Sequence, residues 1–315
     1  MTRLIFSSSP HIHTSASVTR IMLCVIIALL PSLICALYYF GWRVGAIVAV
    51  AVGVAVVTEW AINRFMLRRA PSVGNLSAVL TGLLLALNLP SSLPLWTVAM
   101  GSFFAIAVAK MAFGGLGCNI FNPALVGRVF LLISFPALMT TWPLPGGGFE
   151  ADGATGATIL GRLKLGENID GMLSYTDMLL GHMGGSLGEV GAVAILVGFV
   201  FLLATGVITW HIPVAMVGTA AVFAWAVGEP VAVTVLSGGL LFGAVFMATD
   251  YVTSPMTRTG MLIYAVLIGV ITVIIRVWGA YPEGVSFAIL LGNGLTPLIN
   301  RFVKPARFAE RSVAR

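Results

Sequence analysis

The residue types best suited to chemistry lie in the stretch Asp152 to Thr158, which reads DGATGAT. It begins with a carboxylate, ends with a hydroxyl and has small residues between them. Glycine lets a backbone approach a ligand closely, and clustered backbone amides favour anions such as phosphate. The same residues suit an ordinary surface turn, and composition alone favours the turn. The rest of the chain has to decide between a turn and an attachment site.

Three further candidates, Glu59, Arg128 and Asp250, are charged residues inside or at the ends of apolar segments. Ionisable residues at membrane depth are functional candidates by default. Glu59 and Asp250 are expected near the ends of their segments, where water can solvate them, so ion coordination and simple solvation both stay open. Arg128 is deeper and needs a partner such as a carboxylate, a phosphate or helix-end carbonyls, which the sequence does not identify.

Other chemistries lack the residues they need. The three cysteines form no C-x-x-C pair, and the four histidines have no second ligand at helical spacing, so no metal site is predicted. The chain contains neither a dinucleotide fingerprint after a strand nor a G-K-[ST] or G-x-S-x-G motif. Transport driven by ATP and hydrolase chemistry therefore have no support, and no catalytic residue is assigned.

The composition is that of a polytopic membrane protein. Of 315 residues, 59% are hydrophobic and only 9% are charged, whereas charged residues make up about a quarter of soluble domains. The net charge of +6 comes from basic residues in short loops beside apolar segments, as topology signals do, so nucleic-acid binding is excluded.

The apolar segments approach the roughly 20 residues that cross a bilayer as a helix. They predict an all-α fold of about ten transmembrane helices, near residues 21–40, 44–62, 76–90, 95–113, 122–138, 191–209, 213–228, 232–248, 259–277 and 284–300. The chain then divides into an N-terminal segment with five helices (1–138), a polar segment (139–190) and five more helices with a basic tail (191–315).

The basic residues predict the orientation. If the N-terminus is cytoplasmic, twelve Lys or Arg residues lie inside and four outside, which is a clear positive-inside bias. Both termini are expected in the cytoplasm and the segment 139–190, with Thr158, outside.

The two groups of helices resemble each other weakly. The stretch TGLLLALNLPSSLP from Thr81 has a counterpart in SGGLLFGAVFMATDYVTSP from Ser237, each an apolar stretch that breaks at proline. Because five is an odd number, two such units lie inverted in the membrane. The breaks Asn88-Leu-Pro90, Asn122-Pro123 and Ser254-Pro255 lie at span edges and are typical of helix caps. As a related pair they also fit interrupted helices around a central site.

The spacing D-x-x-T-G-A-T resembles the signal read by the flavin transferase that moves FMN from FAD onto a threonine. In that signal Asp152, Thr155, Gly156 and Ala157 would be recognised, and Thr158 would carry FMN as a phosphodiester. Further segments, in order along the chain, resemble the D subunit of the Rnf complex: SPHIHTSASVTRIML from Ser9, GGLGCNIFNPALVGRVFLLISFP from Gly114, GSLGE from Gly185, ATDYVTSPMTRTG from Ala248 and YPEGVSFAILLGNGLTPLI from Tyr281.

The resemblance implies an electron-transfer subunit, incomplete as an enzyme, in a bacterial or archaeal cytoplasmic (inner) membrane. Its complex would couple ferredoxin and NAD redox chemistry to Na⁺ or H⁺ translocation, with a second flavinylated subunit and iron-sulfur subunits as partners. The family also implies two inverted five-helix repeats, similar to urea transporters, and is compatible with a second, non-covalent flavin such as riboflavin. The coupling ion and the direction of electron flow are not indicated.

Two alternatives remain. One is a urea-transporter-like permease or channel without flavin, which the repeat and the broken helices support but which has no use for D-x-x-T-G-A-T. The other is the B subunit of the sodium-pumping NADH:quinone reductase, which shares the fold and a flavinylated threonine. That protein has an extra N-terminal portion, whereas SPHIHTS begins at Ser9 here, which favours the Rnf assignment.

Overall fold

The computed structural model describes residues 17–69, 72–143, 145, 155–156, 158–166 and 175–304, with only the backbone of Thr155. The described residues are mostly helical. Three helices, Val18–Phe40, Arg43–Met66 and Arg258–Trp278, are long and apolar enough to cross a membrane. Together with the shorter apolar helices, they fit a polytopic membrane protein.

The first half of the chain forms five main helices. They are α1 (Val18–Phe40), α2 (Arg43–Ala61, continued by a π-helical turn Ile62–Met66), α3 (Ser77–Leu87), α4 (Leu95–Ile106, continued by a π-helical turn Ala107–Met111) and α5 (Pro123–Ser134). Asn122 caps α5 through its side chain, and Pro123 occupies the first helical position, where its missing N–H costs nothing.

The middle of the chain contains short elements that the apolar pattern did not predict. They are α6 (Pro136–Met139), β1 (Trp142–Pro143), β2 (Thr155–Gly156), α7 (Ile159–Lys164) and α8 (Tyr175–Leu180). The two strands are antiparallel, with Trp142 opposite Gly156 and Pro143 opposite Thr155. This pairing holds the chain just before α7 against the chain that follows α6.

The second half has α9 (Ala192–Ala204), α10 (His211–Val227), α11 (Val231–Leu236), α12 (Leu240–Phe242, continued by a π-helical turn Gly243–Met247), α13 (Arg258–Trp278) and α14 (Val285–Phe302). Every predicted span coincides with helical structure, but four of them end early or break. Asn88 ends α3, Phe135 ends α5 because Pro136 follows, α9 ends at Ala204, and Ser237 to Gly239 interrupt the predicted span 232–248.

The two halves share a packing pattern when α11 and α12 are counted as one interrupted helix. In each half the second helix packs against the fourth and the fourth against the fifth: α2 with α4 and α4 with α5 in the first half, and α10 with α13 and α13 with α14 in the second. Each half also has a glycine where helices touch. A Cβ on Gly82 would lie 2.8 Å from Val52 Cα of α2, and one on Gly269 would lie 2.8 Å from Met216 O of α10. Small residues at such positions let helix backbones approach closely.

Candidate functional site

Thr158, the last residue of the D-x-x-T-G-A-T stretch, precedes α7. Its hydroxyl oxygen accepts a hydrogen bond from Gly161 N at 3.1 Å, so it caps the helix, and the residue is only 8% exposed. Gly156 lies in β2, opposite Trp142. Asp152 and Ala157 lie outside the described residues, so the structure places the end of the motif and not its beginning.

Thr158 lines a cavity of about 240 Å³, whose walls come from α5, α6, β1, α7 and the segment 279–284 between α13 and α14. Pockets for small molecules and cofactors span about 300–1,000 Å³, so this cavity lies slightly below that range. The indole of Trp142 and the ring of Tyr281 supply aromatic surface, and Arg128 and Glu283 supply charge. The cavity therefore combines a hydroxyl, aromatic faces and an ion pair.

Arg128, which the sequence left without a partner, pairs with Glu283. Its NH2 donates to the Glu283 carboxylate, and its NH1 donates to Ser286 Oγ at 2.8 Å and to Asn88 Oδ1 at 3.3 Å. The two charged side chains are 6% and 12% exposed. These bonds join the end of α3, the middle of α5 and the start of α14 behind the cavity.

A second carboxylate, Glu189, lies close by in the segment 181–191 that connects α8 to α9. It accepts hydrogen bonds from Gly238 N and from the backbone and hydroxyl of Ser186. Burial raises the pKa of the Glu189 carboxyl to about 7, and the negative charge of Glu283 acts in the same direction. Glu189 thus joins the α8–α9 segment to the break between α11 and α12.

Glu59 is not solvated, contrary to the expectation for a residue near a span end. It is 1% exposed and accepts from Lys110 Nζ at 2.5 Å and from Ser72 Oγ at 2.5 Å. Lys110 also donates to Ser77 Oγ at 2.6 Å. Asp250 is partly exposed, and its carboxylate accepts from Thr253 Oγ1 at 3.1 Å.

A second cavity, of about 90 Å³, lies between the two halves of the chain. Most of its wall is apolar, with polar groups from Lys110, Asn119, Asn122 and Asp250. Among the residues that the structure describes, no group of three or more His, Cys, Asp or Glu side chains is placed to hold a metal ion.

Comparison with known proteins decides the family. A family model described as the NQR2, RnfD, RnfE family matches residues 5–309, nearly the whole chain. The chain belongs to this family. The resemblance to the D subunit of the Rnf complex, based on the segments quoted above, is thereby confirmed.

Curated relatives agree, and each of the following is the D subunit of its complex. The chain is 48% identical over 306 residues to that of the Na⁺-translocating ferredoxin:NAD⁺ oxidoreductase complex of Acetobacterium woodii, covering 96% of this chain and 94% of the relative. It is 43% identical over 322 residues to that of the proton-translocating complex of Clostridium ljungdahlii, covering 97% and 96%. It is 42% identical over 331 residues to that of the ion-translocating oxidoreductase complex of Stutzerimonas stutzeri, covering 94% of each.

Proposed function

We propose that this chain is the membrane-embedded electron-transfer subunit of an ion-translocating ferredoxin:NAD oxidoreductase complex, and that Thr158 carries FMN through a phosphodiester. The observation that carries the proposal is the position of Thr158. The residue that the transferase signal assigns to the flavin lines a cavity of about 240 Å³ with aromatic and charged walls. The signal and the cavity are independent observations, since the first comes from residue spacing and the second from tertiary packing.

The attachment reaction balances without an external oxidant or reductant. The Thr158 hydroxyl attacks the FMN phosphorus of FAD, a new oxygen–phosphorus bond forms, and the bond to the AMP phosphate breaks. AMP leaves and the hydroxyl proton is released. A flavin transferase is therefore the partner that this step requires.

The residues of the cavity fit the group. Bound FMN would supply electron transfer, and the chain would supply position and environment. Trp142 and Tyr281 offer surfaces for a planar ring. A covalent bond keeps the flavin at a permanently high effective concentration in this cavity, so it is not lost between turnovers.

The proposed orientation places both termini in the cytoplasm and Thr158 outside a bacterial or archaeal inner membrane. Lys110 was counted among the twelve basic residues inside and Arg276 among the four outside, but both are buried inside the protein. The bias toward the cytoplasmic side remains without them. The corresponding helix contacts in the two halves support the proposed ten-helix inverted repeat.

The complex would include a second flavinylated subunit and iron-sulfur subunits as redox partners. A second, non-covalent flavin such as riboflavin is part of what the family resemblance implies, and the cavity of about 90 Å³ between the halves would have to widen to hold it. The relatives from Acetobacterium woodii and Clostridium ljungdahlii belong to complexes named for Na⁺ and for proton translocation. The coupling ion of this chain therefore needs transport measurements on the whole complex.

The covalent flavin can be tested on the full-length chain, expressed in cells that contain the transferase. After denaturing electrophoresis, the wild-type band should fluoresce under ultraviolet light, and Thr158→Ala should abolish the fluorescence. Losing the helix cap costs only about 0.5–2 kcal/mol, so the variant should still fold, which size-exclusion chromatography checks. Thr140→Ala, at an exposed threonine lining the same cavity, is the matched control and should stay fluorescent. A dark wild-type band would contradict the proposal.

The runner-up function is a permease without flavin, and the cavity between the halves is the observation that favours it. Purified chain in proteoliposomes would then move a small solute without any redox partner. Fluorescence retained on the wild-type band and absence of such transport would exclude this alternative. The quinone-reducing B subunit of the sodium pump is less favoured, since the relatives compared above are all named as D subunits.

A further inference from the structure

We propose that Arg128 and Glu283 form a charge balance that sets the reduction equilibrium of the flavin on Thr158, with Arg128 favouring reduction and Glu283 opposing it. The inference rests on the proposed function and assigns roles that the transferase signal does not contain.

The first support is position. Arg128, Glu283 and Thr158 all line the cavity of about 240 Å³, although they come from α5, the α13–α14 segment and the residue before α7. A flavin tethered to Thr158 and lying in this cavity has an ion pair in its wall. Fixed charges act strongly in a buried site, where the effective dielectric constant is far below that of water.

The second support is how firmly the guanidinium is held. Arg128 NH1 has two neutral acceptors, Ser286 Oγ at 2.8 Å and Asn88 Oδ1 at 3.3 Å, and NH2 has Glu283. Asn88 is itself fixed, because its amide donates to Leu84 O at 2.8 Å. Two neutral partners orient the cation without cancelling its charge. Among the described residues, Glu283 is the carboxylate bonded directly to it, and Glu189 acts on both members of the pair without such a bond. Glu189 stays the same in every variant, so the two members of the pair can be changed separately.

The charge argument follows from the reduction itself. Oxidised isoalloxazine that takes up two electrons and one proton gains one net negative charge. Dithionite supplies the electrons in vitro, and an electron-donating subunit would supply them in the complex. A nearby cation stabilises the charged product and a nearby carboxylate destabilises it. Removing each side chain should therefore shift the equilibrium in opposite directions.

The test is a redox titration of the covalent flavin in the purified full-length chain, followed by its visible absorbance. Glu283→Gln should favour reduction by at least tenfold, which is about 30 mV upward for a two-electron couple. Arg128→Gln should disfavour it by at least tenfold. The double variant Arg128→Gln/Glu283→Gln should return close to wild type, because it removes both charges.

Two further variants keep the test sharp. Arg128→Gln leaves Glu283 buried and unpaired, so if it fails to fold, Arg128→Lys keeps the charge while losing the forked geometry and should give a smaller downward shift. Arg43→Gln is the control, because Arg43 is an exposed cation outside the cavity. Its charge is screened by solvent and salt, so no comparable shift is expected.

The outcomes separate the two proposals. A dark wild-type band after electrophoresis would overturn the covalent flavin itself. A fluorescent band with shifts of the same sign, or with no shift, in Glu283→Gln and the Arg128 variants would overturn the charge balance and leave the attachment intact. If the ion pair is purely structural, these variants should differ in stability but have the same flavin reduction potential.

Discussion

Two buried cations, Lys110 and Arg276, occupy similar places in the two halves of the chain but donate hydrogen bonds to different kinds of acceptor. Lys110 lies in the π-helical turn that ends α4, and Arg276 lies in the last turn of α13. Each reaches a shorter element of its own half. Lys110 contacts Ser77 at the start of α3, and Arg276 contacts the break between α11 and α12.

The difference lies in the acceptors. Lys110 has a carboxylate, Glu59, at 2.5 Å. Arg276 instead donates to three backbone carbonyls, those of Thr234 at 2.6 Å, Ser237 at 3.0 Å and Gly238 at 3.0 Å. An ammonium is a compact charge, whereas a guanidinium spreads its charge over a fork that can serve several acceptors. The first cluster therefore depends on one carboxylate, and the second on the backbone conformation of an interrupted helix.

The largest effect should come from breaking the ion pair of the first cluster. Lys110→Met leaves Glu59 buried without its cation, and removing one partner of a buried pair costs about 3–5 kcal/mol. The midpoint of thermal unfolding in detergent should fall strongly. Lys110→Met/Glu59→Gln should recover most of the loss, and Lys304→Met, at an exposed lysine, should be neutral. A double variant no more stable than Lys110→Met would show that the pair is not the source of the loss.

A smaller effect should come from changing the backbone that holds Arg276. Gly238 has φ +68°, and an added Cβ would overlap Leu160 Cδ1 and Arg276 NH2. Gly238→Ala combines backbone strain of about 1–2 kcal/mol with overpacking of about 1–3 kcal/mol. Gly239 has φ +67° but no atom within 4 Å of an added Cβ, so Gly239→Ala isolates the strain. Equal thermal midpoints for the two variants would show that a Cβ at Gly238 does not overlap Leu160 and Arg276.

The smallest of the three effects is expected from Arg276→Lys. A lysine keeps the charge, and its three donors can still serve some of the carbonyls, but it lacks the planar fork that reaches all three; one carbonyl left unpaired costs about 1–3 kcal/mol. Lys110→Arg is the reciprocal change and should be less harmful than Lys110→Met, since the charge beside Glu59 stays. A lower thermal unfolding midpoint for Arg276→Lys than for Lys110→Met would contradict the distinction between the two clusters.

The helices were predictable from sequence because bilayer thickness fixes their length and composition. The breaks within the helices were only partly predictable from sequence. Asn88 was expected to end a span, but the interruption in the eighth span lies at Ser237 to Gly239, before the Ser254–Pro255 break that the sequence pointed to. The short helices α7 and α8 have six residues each in a polar segment, too short for an apolar periodicity to emerge.

The site was less predictable than the fold. Spacing identified Thr158 as a candidate, but its cavity partners come from distant parts of the chain. Arg128 and Glu283 are 155 residues apart, and although both lie in segments that resemble the Rnf D subunit, that resemblance does not indicate that they meet. The pairing of Lys110 with Glu59, 51 residues away, was missed as well, since Glu59 was expected near water. Tertiary packing chooses such partners, and one sequence alone does not reveal them.

The burial of Thr158 has a consequence for biogenesis. Its hydroxyl already caps α7, only 8% of the residue is exposed, and the strands β1 and β2 pair immediately before it. A transferase has to reach that oxygen with its own active site. If Thr158 carries FMN, we expect this segment to open for the modification or to close only after it.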